Sequence, residues 1–217
     1  MARLIFWISV HSKIIKYFDA NVCLHRLCDK FPVYLMCSGK VQGVPCNEYV
    51  ASRCNAICMQ SQNNMTLKGK LLFDELKSRN DYDAVVRTDL DALVIKPRLL
   101  VSMAKRFVVG KHVVMGNVIK VLANKKTKAR TELLRGAGHI TSKSVIDAID
   151  MIVRNRVRGF DTPYFASVRR TGATIVRRNC FELGPRYSGK LPIWHPPKHK
   201  DPKKYRIFTK QVKRWKK

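Results

Sequence analysis

Acidic side chains are scarce in this chain. Fifteen Asp and Glu stand against 43 Lys and Arg over 217 residues, a formal net charge of +28. Such a balance disfavours basic partners and implies polyanionic ones: nucleic acid, a phosphorylated small molecule or an acidic surface. Long apolar runs are missing too. No stretch approaches the roughly 20 residues that a membrane span needs, so no transmembrane segment is expected. The apolar start, Leu4 to Val10, runs straight into His11, Lys13 and Lys16 with no small-residue cleavage site. It reads as a first buried strand and not as a signal peptide. There is no C-x-x-C pair among the seven cysteines, six of which lie in the first 58 residues. Zinc-ligand spacing is therefore absent, and the odd count argues against a disulfide framework. Small buried thiols in a reducing, cytoplasmic setting are the expectation. There is no internal repeat.

What is present is ordinary globular material. The hydrophobic fraction is 46%, enough at this length for a core without staples. Arg3 to Val10 reads as a strand. Ser12 can cap a helix through Ile15, Phe18, Val22 and Leu27, and Pro32 to Cys37 reads as a second strand. A β-α-β opening favours a parallel sheet and an α/β fold. Further along, Glu48 to Ala56 has helical character and Ala56 to Gln60 strand character. Thr66 can cap a helix broken early by Gly69. Ala84 to Val86 is a buried strand, and Pro97 can start a helix to Arg106. Strands recur near Val113 to Met115, His139 to Thr141 and Thr174 to Val176. Between them, Ser142 can cap a helix reaching Val153, and Tyr164 to Arg170 looks helical. From Pro192 the pattern dissolves. Residues 198–217 hold ten Lys and Arg and one acid, Asp201, and read as a basic C-terminal extension of a 1–197 domain.

The few acids are not evenly spread. Asp81, Asp83, Asp89 and Asp91 fall within eleven residues. Alternate side chains of an extended strand share a face, so Asp89 and Asp91 are expected on one side at a strand's carboxyl end, where open α/β sheets bind ligands. Two carboxylates held together repel unless a cation lies between them, and Mg²⁺ or Mn²⁺ prefers oxygen ligands. The competing reading is that these aspartates cap turns.

Tyr82 to Asp91, followed by Pro97, resembles the D-x-D segment of the GT-A glycosyltransferases. Gly136 to Ser142, an amphipathic helix, and then Gly159 to Tyr164 resemble the acceptor-side strand, helix and acidic motif of inverting members. The likeness covers roughly residues 1–195. More narrowly, the chain is similar to the N-terminal glycosyltransferase domains that build chlorella-virus capsid glycans. The resemblance implies a single mixed, mostly parallel central sheet flanked by helices. It also implies a metal-dependent enzyme that moves a sugar from a UDP-sugar, of UDP-glucose or UDP-rhamnose type, to an oligosaccharide or glycoprotein acceptor such as a viral capsid protein. Asp91 and Asp89 would hold the metal, with Asp89 also reaching the donor. His195 would be a third ligand, near the loosely matching Lys190 to His195 segment. Asp161 would be the base of an inverting transfer, although the family often has two consecutive acids where this chain has Phe160-Asp161. Arg87 either braces the carboxylates or touches the donor. Lys68, Lys70 and Lys190 are candidate phosphate contacts. Ser9 to Ser12, with His11, and Cys37 to Gly39 are candidate nucleobase walls. His139 and Tyr164 either face the acceptor or belong to the core.

Two other functions compete. One is nucleic-acid binding, suggested by the charge but unsupported by zinc-finger spacing or an aromatic RNA-binding signature. The other is a metal-dependent nuclease or nucleotidyltransferase, which also gathers acids around Mg²⁺ but usually needs a further acid on a neighbouring strand.

Overall fold

A computed structural model describes residues 2–122, 130–134, 138–153, 161–184, 186–196 and 202–214. The chain opens with β1 (Leu4–Ser9), a 3-10 turn at Ser12–Ile14, and the helices α1 (Ile15–Ala20) and α2 (Val22–Cys28). Next come β2 (Val33–Cys37), a small hairpin of β3 (Lys40–Val41) and β4 (Val44–Pro45), α3 (Cys46–Ala51), β5 (Ile57–Gln60) and α4 (Met65–Lys77). The middle holds β6 (Ala84–Asp89), β7 (Leu93–Val94), α5 (Pro97–Phe107), β8 (Val113–Gly116), β9 (Val118–Leu122) and β10 (Arg130–Leu134). The last third holds β11 (His139–Ser142), α6 (Lys143–Ala148), α7 (Asp161–Arg170), β12 (Thr174–Arg177), β13 (Phe181–Leu183), β14 (Ile193–His195) and α8 (Lys203–Arg214).

Seven strands form the central sheet in the order β12-β8-β11-β6-β1-β2-β5. All neighbours are parallel except β11, which runs against both β6 and β8. The sheet is buried on both faces. Leu4, Phe6 and Ile8 of β1 enter one core, while Ile5 and Trp7 enter the other. A continuous apolar strand sequence is what such a two-sided position requires. On the first face lie α1, α2, α5 and α8; on the second lie α4, α6 and α7. The strand order reverses direction between β1 and β6, which sit side by side with Ser9 opposite Asp89. In open α/β sheets the crevice at such a switch point, beyond the strands' carboxyl ends, is where ligands bind.

Several local readings change. The expected single helix from Ser12 is interrupted, because Asn21 accepts a hydrogen bond from the Leu24 amide and starts α2 afresh. His11, and not Ser12, caps the preceding turn, its Nδ1 accepting from the Lys13 amide at 3.0 Å. Asn64, and not Thr66, caps α4, with Oδ1 accepting from the amides of Thr66 and Leu67. That helix runs straight through Gly69, since its apolar face is buried and tertiary packing outweighs the roughly 1 kcal/mol cost of one glycine. Ser142 precedes α6 without capping it, because its hydroxyl accepts from the Val113 amide instead, and the helix stops at Ala148. The largest change is at the C-terminal end. Residues read as an extension contain α8, whose Phe208, Gln211 and Val212 are buried. The rings of Tyr205 and Phe208 meet Tyr17 edge-on at 5.3 and 5.1 Å. Amphipathic spacing inside a lysine-rich run conceals such a helix from composition.

All seven cysteines are free thiols. Among the described residues, no helix is long and apolar enough to cross a membrane.

Candidate active site

β6 ends at Asp89, and Leu90-Asp91 form a turn closed by the Ala92 amide donating to the Asp89 carbonyl at 3.0 Å. The two carboxylates therefore come together by chain reversal, and not by the alternation of one extended strand. Asn21 pins this turn. Its buried side-chain amide donates to the carbonyls of Leu90 and Ala92, both at 3.1 Å. One residue thus starts a helix and fixes the acidic loop. The sequence offered only the weak signal of an Asn before an apolar helical run.

β7 follows Asp91 almost at once and pairs antiparallel with β14, Leu93 opposite Trp194. That pairing delivers His195, 104 positions along the chain, to the acidic turn. The His195 Nε2 lies 3.5 Å from Asp89 Oδ2 and 3.3 Å from Asp91 Oδ1. Its Nδ1 lies 2.7 Å from the Pro196 carbonyl and can only donate to it, which fixes Nε2 as the nitrogen facing the acids. One ligand atom from each of Asp89, Asp91 and His195 falls within 4.8 Å of the others. Two carboxylate oxygens and one oriented imidazole suit Mn²⁺ or Mg²⁺ better than a soft metal. The residues fit the expected group.

In the structure the acids are neutralised by protein cations. Lys204, from the first turn of α8, forms an ion pair with Asp91 Oδ2. Arg87 Nη2 stands 3.5 Å from Asp89 Oδ1. Burial alone would raise both carboxyl pKa values, but His195 and the neighbouring cations outweigh it and hold Asp89 and Asp91 below the usual carboxylate range. For His195 the balance is reciprocal. Burial opposes its charge, but hydrogen bonds and charges from Asp89 and Asp91 push it up to about 9.

A cleft of about 380 Å³ opens beside this cluster, lined among others by Ser9, His11, Tyr17, Lys68, Asp89, Asp91 and Lys204. Lys68 is 1% exposed, and its Nζ donates to Ser38 Oγ at 2.9 Å, the Val10 carbonyl at 3.1 Å and Ser9 Oγ at 3.2 Å. Burial pulls its ammonium down to about 8. Burial and the nearby Lys68 charge also lower His11. The wall loops approach closely. A Cβ on Gly39, whose φ is +81°, would lie 2.3 Å from Ser12 Oγ, so only glycine fits there.

Other sequence candidates lie elsewhere. Arg87 is 6% exposed, sits 5.5 Å over the Trp7 ring and does not line the cleft. Its place behind Asp89 is that of a brace and not of a donor contact. Lys70 pairs with Asp74 at 2.7 Å on the outer face of α4. Lys190 lines a separate cleft with Arg106 and Phe107. His139 and Tyr164 are buried and stacked at 4.7 Å, and Tyr164 hydrogen-bonds Thr141. Both belong to the core. Asp161 is the first residue of α7, and its side chain lies outside the described residues, as do Gly159 and Phe160. Sequence reasoning missed Asn21, Tyr17 and Lys204. The last was hidden in the basic run.

No family model matches this sequence, and no curated protein does. Solved structures do. The chain is similar to the galactosyltransferase LgtC, solved with donor and acceptor sugar analogs, at a TM-score of 0.59 and 10% identity over 97% of this chain and 95% of that one. It is similar to the mannosyltransferase PcManGT of Pyrobaculum calidifontis, solved with GDP-Man and Mn²⁺, at 0.50 and 13% over 82% and 55%. It is also similar to TarS of S. aureus, at 0.53 and 8% over 97% and 39%. The chain has the GT-A fold.

Proposed function

We propose that this protein is a metal-dependent glycosyltransferase that moves a sugar from a nucleotide-sugar donor to a glycan acceptor. One observation carries the reading: Asp89, Asp91 and His195 converge at the switch point of a GT-A sheet, and the two aspartates line a cleft together with Lys68 and Lys204. A nucleoside diphosphate leaves readily only when its charge is neutralised, and a divalent ion held by these three residues supplies that as a Lewis acid.

The chain's own groups do the rest. Lys68 presents an ammonium to the cleft from a buried, three-bonded anchorage. Lys204 neutralises Asp91 in the free protein and lines the cleft, so with the carboxylates engaged by a metal its ammonium would be available to a diphosphate. Arg87 keeps Asp89 ionised and aligned. Asn21 holds the loop carrying both acids, so little reorganisation is needed when the donor arrives. Ser9 and His11 line the donor's side of the cleft. Asp161, at the start of α7, is the base that takes the acceptor hydroxyl proton in an inverting transfer, a role supported by its acidic motif. The donor is a UDP-sugar of UDP-glucose or UDP-rhamnose type and the acceptor a viral capsid glycan. Both rest on the sequence resemblance alone.

The test is incubation with a panel of UDP-sugars and Mn²⁺, measuring UDP release with and without acceptor glycans. UDP release that disappears in Asp91→Asn supports the reading. Release of inorganic pyrophosphate from a nucleoside triphosphate in its place would assign a nucleotidyltransferase.

A further inference from the structure

A second cleft of about 380 Å³ lies between α8 and the loop after β13, lined by Arg186, Arg206, Ile207, Lys210, Gln211 and Arg214. Four cations line it and no acid does. Arg206, Lys210 and Arg214 follow one another at four-residue spacing along α8, so like charges are stacked on one helical stripe. Each such pair costs a helix a few tenths of a kcal/mol. Among the described residues, none of the four is in an ion pair, whereas Lys70, Lys143 and Arg177 elsewhere on the surface each have an acid.

Gln211 supplies a second, independent sign. Its side chain is 4% exposed and lines this cleft. Among the described residues its amide has no hydrogen-bond partner. The side chain is held by the packing of α8 while its amide atoms still reach the cleft, so they are open to bond a ligand there. Four unpaired cations around an open amide match a group that accepts strong hydrogen bonds and also offers a hydroxyl or bridging oxygen.

We infer that this cleft is an anion site for a phosphate group on a soluble ligand, separate from the donor cleft. The main apolar residues of α8, Phe208 and Val212, are already buried, Phe208 against Tyr17, so the face a bilayer would take up is committed to the core. The site is a cleft that draws cations from two segments, α8 and the loop carrying Arg186, which suits a discrete group better than a flat polyanion. It stands on α8 and Arg186 and is independent of the glycosyltransferase reading.

The test is calorimetric titration of inorganic pyrophosphate into the full chain in EDTA, at fixed ionic strength. Two double variants remove the same net charge: Arg206→Gln with Lys210→Gln in the cleft, and Arg98→Gln with Lys105→Gln on exposed positions of α5. Loss of charge-assisted hydrogen bonds should weaken binding about tenfold or more in the α8 pair and leave the α5 pair unchanged. Arg186→Gln should repeat the loss without touching the helix. Equal weakening in both pairs would overturn the inference, because a general positive field would then explain the binding. So would a loss confined to phosphatidylglycerol-containing vesicles or duplex DNA, with pyrophosphate affinity unaffected.

Discussion

The two clefts are the same size and differ in how their charges are satisfied. In the cleft beside β6, Asp89 and Asp91 face His195, Lys204 and Arg87, so each acid already has a cation. In the cleft along α8, four cations have no acid. The first arrangement can exchange protein cations for a divalent ion and still attract a diphosphate. The second can only gain an anion. Net charge concealed both, since +28 is an average over an acidic trap and an unopposed basic groove.

The contrast can be broken at its strongest point first. Asp91→Asn removes a ligand and the partner of Lys204, and sugar transfer should fall on the order of a thousandfold in a UDP-release assay. His195→Gln should weaken Mn²⁺ binding by at least the ~10–100-fold that losing an outer ligand support costs, measured by the paramagnetic signal of free Mn²⁺.

Lys204→Met should act in two directions. Without the tethered cation, donor-free protein should bind Mn²⁺ roughly threefold to tenfold more tightly, as expected for removing a partly exposed charge pair. The KM for the donor should rise. A variant that loses both affinities would mean that Lys204 only maintains the fold.

Lys68→Met gives the smallest effect, read in stability. The folded pKa of about 8 lies below the ordinary 10.5. The cost of burying this charge is therefore complete below pH 8 and is relieved as pH rises toward 10.5. Replacement by Met removes the three hydrogen bonds together with the buried charge, so the change in stability at pH 7 should be small, and the variant should lose stability relative to the unaltered protein as pH rises from 8 toward 10.5. UDP affinity of the unaltered protein should decline through the same interval and should lose that dependence in the variant.

Much of the donor half could be read from residues alone. The β-α-β opening, the buried strand ending at Asp89 and the start of α5 at Pro97 depend on local patterns, and local patterns are what a sequence displays. The acidic pair was found for the same reason, although its geometry comes from a turn. What escaped depends on contacts between distant segments. His195 was reached only through the likeness of the Lys190 to His195 segment to a known family; what escaped there was its route to the acids, the pairing of β14 with β7, since no spacing rule links positions 91 and 195. Asn21 looks like any helix-starting Asn until its amide is seen on the Leu90 and Ala92 carbonyls. Lys204 and the groove on α8 were masked by composition, because one apolar stripe of Tyr205, Phe208 and Val212 is diluted among lysines and arginines.

The most direct measurement is a titration of Mn²⁺ into the metal-free protein, followed by the signal of the unbound ion. One ion per chain should bind, binding should vanish in Asp91→Asn, and it should persist in the Arg206→Gln, Lys210→Gln pair. Mn²⁺ binding that is unchanged in Asp91→Asn, or absent even with UDP present, would contradict the assignment of Asp89, Asp91 and His195 as the metal centre.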